Sequence, residues 1–248
     1  MRYRFKTMNT FSDSLLQALA LIVSADPLLW GVVVRSVGVS AMATLLACAI
    51  GMVLGAWLAV ARFKGRHLVL TLLNTSLGVP AVVVGLVVYL LLSRSGPLGF
   101  LGWLFTFQAM VMAQTVLVLP IAAALTRQAI EDADQRYGEQ LLSVGATTLN
   151  RGLLLGWDER YALLTVLLAV FGRAIAEVGT VMIVGGNIEG FTRVMTTAIA
   201  LETSKGDLPM ALGLGVVLLL LVLLLNAAVS WLRLWRERVD VTPAQGAL

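Results

Sequence analysis

Apolar runs alternate with short charged segments along most of the chain. Runs of about 36–61, 67–93, 102–126, 161–185 and 208–232 are uncharged or nearly so, and the first is bounded by Arg35 and Arg62. About 20 apolar residues cross the hydrocarbon core of a bilayer, so this pattern predicts five membrane-spanning helices. A shorter run, Ser14 to Ala25, ends at Asp26-Pro27. It predicts an interfacial helix rather than a full span, because it is short and proline disfavours helix in the residue before it. It does not read as a cleaved signal, since nothing after it resembles a secreted domain. The pattern divides the chain into an N-terminal tail and helix (1–30), a bundle (31–232) and a C-terminal tail (233–248).

Several spans carry internal punctuation. Gly51 and Gly55 give a small-xxx-small spacing that lets two helices approach closely. Gly78-Val79-Pro80 predicts a kink in the second span. In a membrane such a break is tolerated within protein or along a watery path, so the kink admits a structural and a gating reading. Ser95-Gly96-Pro97 marks a turn before the third span, which contains Pro120.

The long polar interruption is 131–157, with Glu131, Asp132, Asp134, Arg136, Glu139 and Arg151. Leu141, Leu142 and Val144 form one side of a short amphipathic helix; Gly145 breaks it, and Leu149, Leu153, Leu154 and Leu155 form the apolar side of a second. Two such helices lying along one end of a bundle suit a groove on another protein. The alternative is a helix lying on lipid, against which the acidic cluster Glu131, Asp132 and Asp134 argues if the lipid is anionic. Asp132 and Asp134 read as a solvated face.

Composition supports the membrane reading. The chain is 59% hydrophobic and 13% charged, against about 25% charged residues in soluble domains. The net charge is +4, but the basic residues sit at the ends of apolar runs, which reads as topology rather than nucleic-acid binding. With the polar interruption inside, the inner segments hold Arg62, Lys64, Arg66, Arg127, Arg136, Arg151, Arg160, Arg233, Arg236 and Arg238; the outer ones hold Arg94, Arg193 and Lys205. That bias places the C-terminus in the cytoplasm. At the N-terminus, Arg2, Arg4 and Lys6 favour six spans, whereas the length of the first run favours five. Cys48 and His67 are the only residues of their kinds, so Cys48 reads as a small core residue and His67 as a span-edge residue without metal or acid–base partners.

Arg173 and Glu177 lie inside the fourth run, four residues apart, and can pair on one helix face. A charge at bilayer depth costs about 2.5–3.5 kcal/mol unless paired or hydrated. The pair is therefore expected inside the bundle, either as a packing device or as part of a translocation path. Gly185-Gly186-Asn187 predicts a tight turn, and Val194 to Leu201 a short amphipathic helix on the outer side. Arg193 before it could attract an anion or sit as a solvated charge. The sequence has no HExxH, GxSxG, phosphate-loop or cysteine cluster, which argues against an intramembrane enzyme. It also lacks the internal repeats usual in secondary transporters.

Two stretches resemble a known family. Glu139-Gln140-Leu141-Leu142-Ser143-Val144-Gly145 resembles the E-A-A-x-x-x-G loop of bacterial ABC importer permeases, with Gln140 and Leu141 in place of the alanines and no downstream proline. Gly172-Arg173-Ala174-Ile175-Ala176-Glu177-Val178-Gly179 resembles the R-A-x-x-E-x-G of molybdate, tungstate and sulfate permeases. Its continuation through Val181–Asn187 and Thr192–Thr203 looks closest to the tungstate branch. The resemblance covers the chain from about Asp26 onward and favours five core spans with an external N-terminal helix.

It implies an all-α polytopic bundle of the type I importer kind, with a cytoplasmic coupling helix, in a bacterial or archaeal cytoplasmic membrane. Implied partners are a cytoplasmic ABC ATPase dimer, an extracytoplasmic solute-binding protein, a second copy of the chain and membrane lipid; no nucleic acid and no cofactor are implied. The permease itself would hydrolyse nothing. Glu139, Leu142, Gly145 and Arg151 are expected to couple to the ATPase. Arg173, Glu177, Asn187 and Arg193 are expected in the translocation path or the bundle interior. Tungstate is the expected substrate; a molybdate or sulfate permease, or a motor-independent transporter, are the alternatives.

Overall fold

The computed structural model describes residues 10–241. Arg2, Arg4, Lys6 and the tail from 242 onward lie outside the described residues, as do the side chains of Arg233, Arg236 and Arg238. Ten α-helices and one short 3₁₀ turn, Gly99–Leu101, make up the described architecture. Helix α1 is Thr10–Val23 and α2 is Pro27–Val60. Asp26 caps α2 by accepting from the Leu28 and Leu29 amides, and Pro27 occupies the first turn, where its missing N–H costs nothing. The dipeptide that ends one helix thus begins the next. Because α2 starts at Pro27, Arg35 lies within it and not at its edge.

Helices α3 (Arg66–Leu77) and α4 (Ala81–Leu92) meet at Gly78-Val79-Pro80 with a bend of 100°. The expected kink is therefore a full break. Helix α5, Phe107–Ser143, starts at a Thr106 cap and passes through Pro120. It continues through Glu131–Ser143, so the first amphipathic helix of the polar interruption is the end of the span that precedes it. Helix α6 is Thr148–Asp158, and α7 is Arg160–Ile175. Helix α8, Gly179–Gly185, follows α7 at a bend of 60°, which splits the fourth apolar run in two. Helix α9 is Met195–Lys205, and α10 is Leu208–Val241, continuing beyond the apolar run into the expected tail.

Three of these helices, α2, α5 and α10, are long and apolar enough to cross a membrane, and five spans result if each bent pair counts as one. Among the described residues the fold is entirely helical. Helices α2 and α5 share the most extensive contact. A Cβ on Gly51 would stand 2.8 Å from the Ala122 Cβ, and one on Gly55 would strike the Ala123 carbonyl oxygen. Small residues on both helices thus bring the two backbones together. Helix α7 packs beside this pair, burying Val166, Val170 and Ala174 with Ala47, Cys48, Leu117, Val118 and Ala122. Helix α10 packs on α1, α9 and α7, and α4 packs on α8. Replacing Gly55 by Val is expected to lower the thermal unfolding temperature of the detergent-purified protein by several degrees, from an overpacking cost of about 1–3 kcal/mol; an unchanged unfolding temperature would contradict the close approach.

Candidate functional site

The polar end of the bundle is built by a sharp stop. At the end of α5 the Gly145 amide donates to the Leu142 carbonyl and the Ala146 amide to the Leu141 carbonyl, each at 3.0 Å. This pair of bonds is a Schellman cap, which needs a left-handed residue, and Gly145 has φ +79°. Thr147 then caps α6 by accepting from the Asn150 amide. The expected order of helix, glycine and second helix is thus realised. Helix α6 buries Arg151, Gly152 and Leu155, the last packing with Ala59, Val60, Ile130 and Ala133. Its other side exposes Leu149, Leu153, Leu154 and Trp157, the tryptophan by 75%. Glu139 and Leu142, on the last turns of α5, are exposed beside it.

Arg151 does not join them. It is only 8% exposed, with its Nε 2.9 Å from Asp134 Oδ1, and it donates to the Val60 carbonyl at 3.0 Å. Its guanidinium is thus engaged within the bundle, whereas Glu139 and Leu142 are exposed. The acidic cluster is also not a uniformly solvated face. Glu131 pairs with Arg66 at 3.0 Å and with Arg127, and Asp134 is turned inward to Arg151; Asp132 is exposed. With two of its three carboxylates neutralised by arginines, the cluster no longer weighs against anionic lipid. Sequence reasoning missed Glu159, which is buried at the junction of α6 and α7 and pairs with Arg136 at 2.7 Å. The pair is 23 residues apart, outside any helical spacing.

The second candidate centre is the break between α7 and α8. Arg173 and Glu177 pair at 2.6 Å, as their spacing predicts. Glu177 is buried, and its other carboxylate oxygen accepts from the Thr180 amide, satisfying the start of α8. Further groups of the break are bonded to neighbouring helices. Gln114 of α5 donates to the Ala174 carbonyl at 3.0 Å, Thr196 of α9 to the Glu177 carbonyl at 2.7 Å, and Thr180 to the Ala81 carbonyl at 2.9 Å. The last bond joins the two breaks, because Ala81 opens α4. Gly85 lets α4 approach this point, where a Cβ would lie 3.0 Å from the Thr180 Cα. Gln114, an amide in the middle of an apolar run, is the signal that the sequence offered. The Arg173 side chain, unlike that of Glu177, is 43% exposed. The pair is therefore not wholly enclosed by one chain.

Beyond α8, Gly186 (φ +69°) and Asn187 (φ +52°) make the expected tight turn. Asn187 donates to the Thr197 carbonyl at 3.4 Å. Helix α9 caps the bundle here, its first amide donating to Ser36 of α2 at 2.6 Å. Arg193 is neither solvated nor free for an anion: its side chain is largely buried, with Glu189 at 3.3 Å and Glu202 at 3.6 Å. Arg35 ties down the same loop through the Gly190 and Arg193 carbonyls. No cluster of metal ligands occurs among the described residues.

Residues 51–238 match the family described as binding-protein-dependent transport system inner membrane component. A probable anion ABC transporter permease of Haloferax volcanii is 43% identical over 197 residues, 77% of this chain and 85% of the relative. A tungstate uptake system permease of Peptoclostridium acidaminophilum is 40% identical over 222 residues, 90% of this chain and 97% of the relative. That of Campylobacter jejuni is 39% identical over 214 residues, 86% and 90% respectively. Sulfate and molybdenum permeases of Escherichia coli match at 29%. The match spans the α2–α5 packing, the exposed face of α6 and both broken helices, and this chain belongs to the binding-protein-dependent inner-membrane components, the permease subunits of ABC importers.

Proposed function

We propose that this permease imports tungstate, working as a homodimer with a cytoplasmic ATPase dimer and an extracytoplasmic binding protein. The observation that carries the substrate is the 39–40% identity to two tungstate permeases over most of the chain, against 29% to sulfate and molybdenum permeases. Selectivity is expected mainly in the binding protein, so the assay must include it. In the reconstituted complex, tungstate-loaded binding protein should stimulate ATP hydrolysis more than sulfate-loaded or molybdate-loaded protein; equal or lower stimulation by tungstate rejects the assignment.

The exposed side of α6, with Glu139, Leu142 and the Gly145 stop, supports a docking role toward the ATPase. Apolar side chains fill a groove while Glu139 fixes the orientation of the helix end. The leucine-rich side of α6 is expected to carry affinity, and Gly145 the angle at which α6 is presented. Glu139→Ala, Gly145→Pro and Leu153→Asp should each abolish uptake while the permease still inserts, and Leu153→Asp should also reduce co-purification of the ATPase. Normal uptake in all three removes this surface from coupling.

Arg173 supports a path role. A half-exposed guanidinium facing hydrocarbon would cost about 2.5–3.5 kcal/mol, so its open side is assigned to an aqueous path shared with the second copy. Glu177 satisfies one edge of the guanidinium, leaving the remaining N–H donors for a passing oxyanion. Asn187 and Arg193 are assigned to the scaffold that holds α9 over the outer mouth. Arg173→Lys keeps the charge but loses the planar fork, and should reduce uptake about tenfold with assembly intact. Wild-type uptake by this variant would take Arg173 out of the path.

A further inference from the structure

The inner end of α5 carries three carboxylate–arginine contacts that together bind four other helices. Glu131 holds Arg66 at the start of α3, and Arg66 also donates to the Leu58 carbonyl near the end of α2. Asp134 holds Arg151 of α6, which in turn donates to the Val60 carbonyl, the last residue of α2. Arg136 holds Glu159, the residue between α6 and α7. Helix α6 is therefore clipped to α5 at two points: in its first turns through Arg151 and just past its end through Glu159. The backbone leaves room for the first clip, since a Cβ on Gly138 would fall 2.7 Å from the Asp134 carboxylate.

These clips lie on the side of α6 opposite the exposed leucines. A helix held only by apolar contact can slide or roll over its neighbours. Two ion pairs at separated points, Asp134–Arg151 enclosed and Arg136–Glu159 with its carboxylate buried and its arginine half exposed, fix both its position and its rotation, because removing the partner of a buried member leaves that charge uncompensated. A displacement applied to the exposed face must then move α5, the end of α2 and the start of α7 with it, and α7 leads directly to Arg173.

We propose that Asp134–Arg151 and Arg136–Glu159 form a two-point clasp of positioning residues that makes α6 rigid with α5 and α7 and so transmits its displacement to the broken-helix centre. The transmission role rests on the importer reading above; the existence of the clasp does not.

The test uses the full-length permease in lipid nanodiscs and, for coupling, its complex with ATPase and binding protein. The Asp134→Asn variant should lower the hydrogen-exchange protection of α6 amides at least about tenfold in the permease alone. Unchanged protection overturns the clasp whatever the transport result. In the complex, Arg136→Glu and Glu159→Arg should each reduce the anion moved per ATP at least about fivefold with the ATPase still bound, and the double exchange should recover much of the loss. A double variant as uncoupled as the singles, or singles with a normal ratio, overturns the transmission role. A wild-type complex that imports no oxyanion would instead sink the importer reading and the transmission role with it, while the exchange experiment still decides the clasp.

Discussion

The close approach of α2 and α5 is the contact on which the rest depends. Lipid offers no hydrophobic drive for helices to associate, so packing must come from shape, and small residues let backbones touch. Gly51 and Gly55 supply that shape against Ala122 and Ala123. With these two helices fixed, α7 finds a seat along them, and the C-terminal end of α5 becomes a platform for α3, α6 and α7. The N-terminal part of α2 holds the loop before α9 through Arg35, and α9 itself through Ser36.

The two breaks illustrate a second constraint. Backbone polar groups freed within a bilayer must find partners in the protein. The breaks at Pro80 and Ala176–Val178 answer one another: Thr180 donates to Ala81, and Gln114 and Thr196 donate to carbonyls around the second break. Glu177 serves both the backbone of α8 and Arg173. One carboxylate thus fixes the local fold and holds the half-exposed Arg173.

Much of this was legible from local pattern. The Asp26-Pro27 boundary, the Gly145 stop, the small-xxx-small pair and the Arg173–Glu177 spacing are each written within a few residues. What was not legible depends on distant partners. Nothing near Arg151 indicates that Asp134 and the Val60 carbonyl enclose it, so its charge read as available for docking. Nothing near Arg193 points to Glu202. The depth of the break at Pro80 was underestimated because a proline in an apolar run specifies a lost hydrogen bond, whereas the angle is set by how α4 packs on α8. The reach of α5 exceeds the sequence expectation because charged residues after an apolar run read as the end of the span, although Glu131, Arg136 and Glu139 are good helix formers and continue the same helix.

That reach has a mechanical consequence. Helix α5 contains 37 residues, about 55 Å at 1.5 Å per residue, nearly twice the thickness of a hydrocarbon core. From its contact with Gly51 and Gly55 to its last turn runs an arm of about 30 Å. A tilt of about 5° at the glycine contact therefore becomes a shift of roughly 2–3 Å at Gly145, on the geometry of a straight rod of that length. In reverse, a push of that size at the far end need only rock the helix slightly on its glycine fulcrum, a motion that packed backbones with only small side chains between them can accommodate.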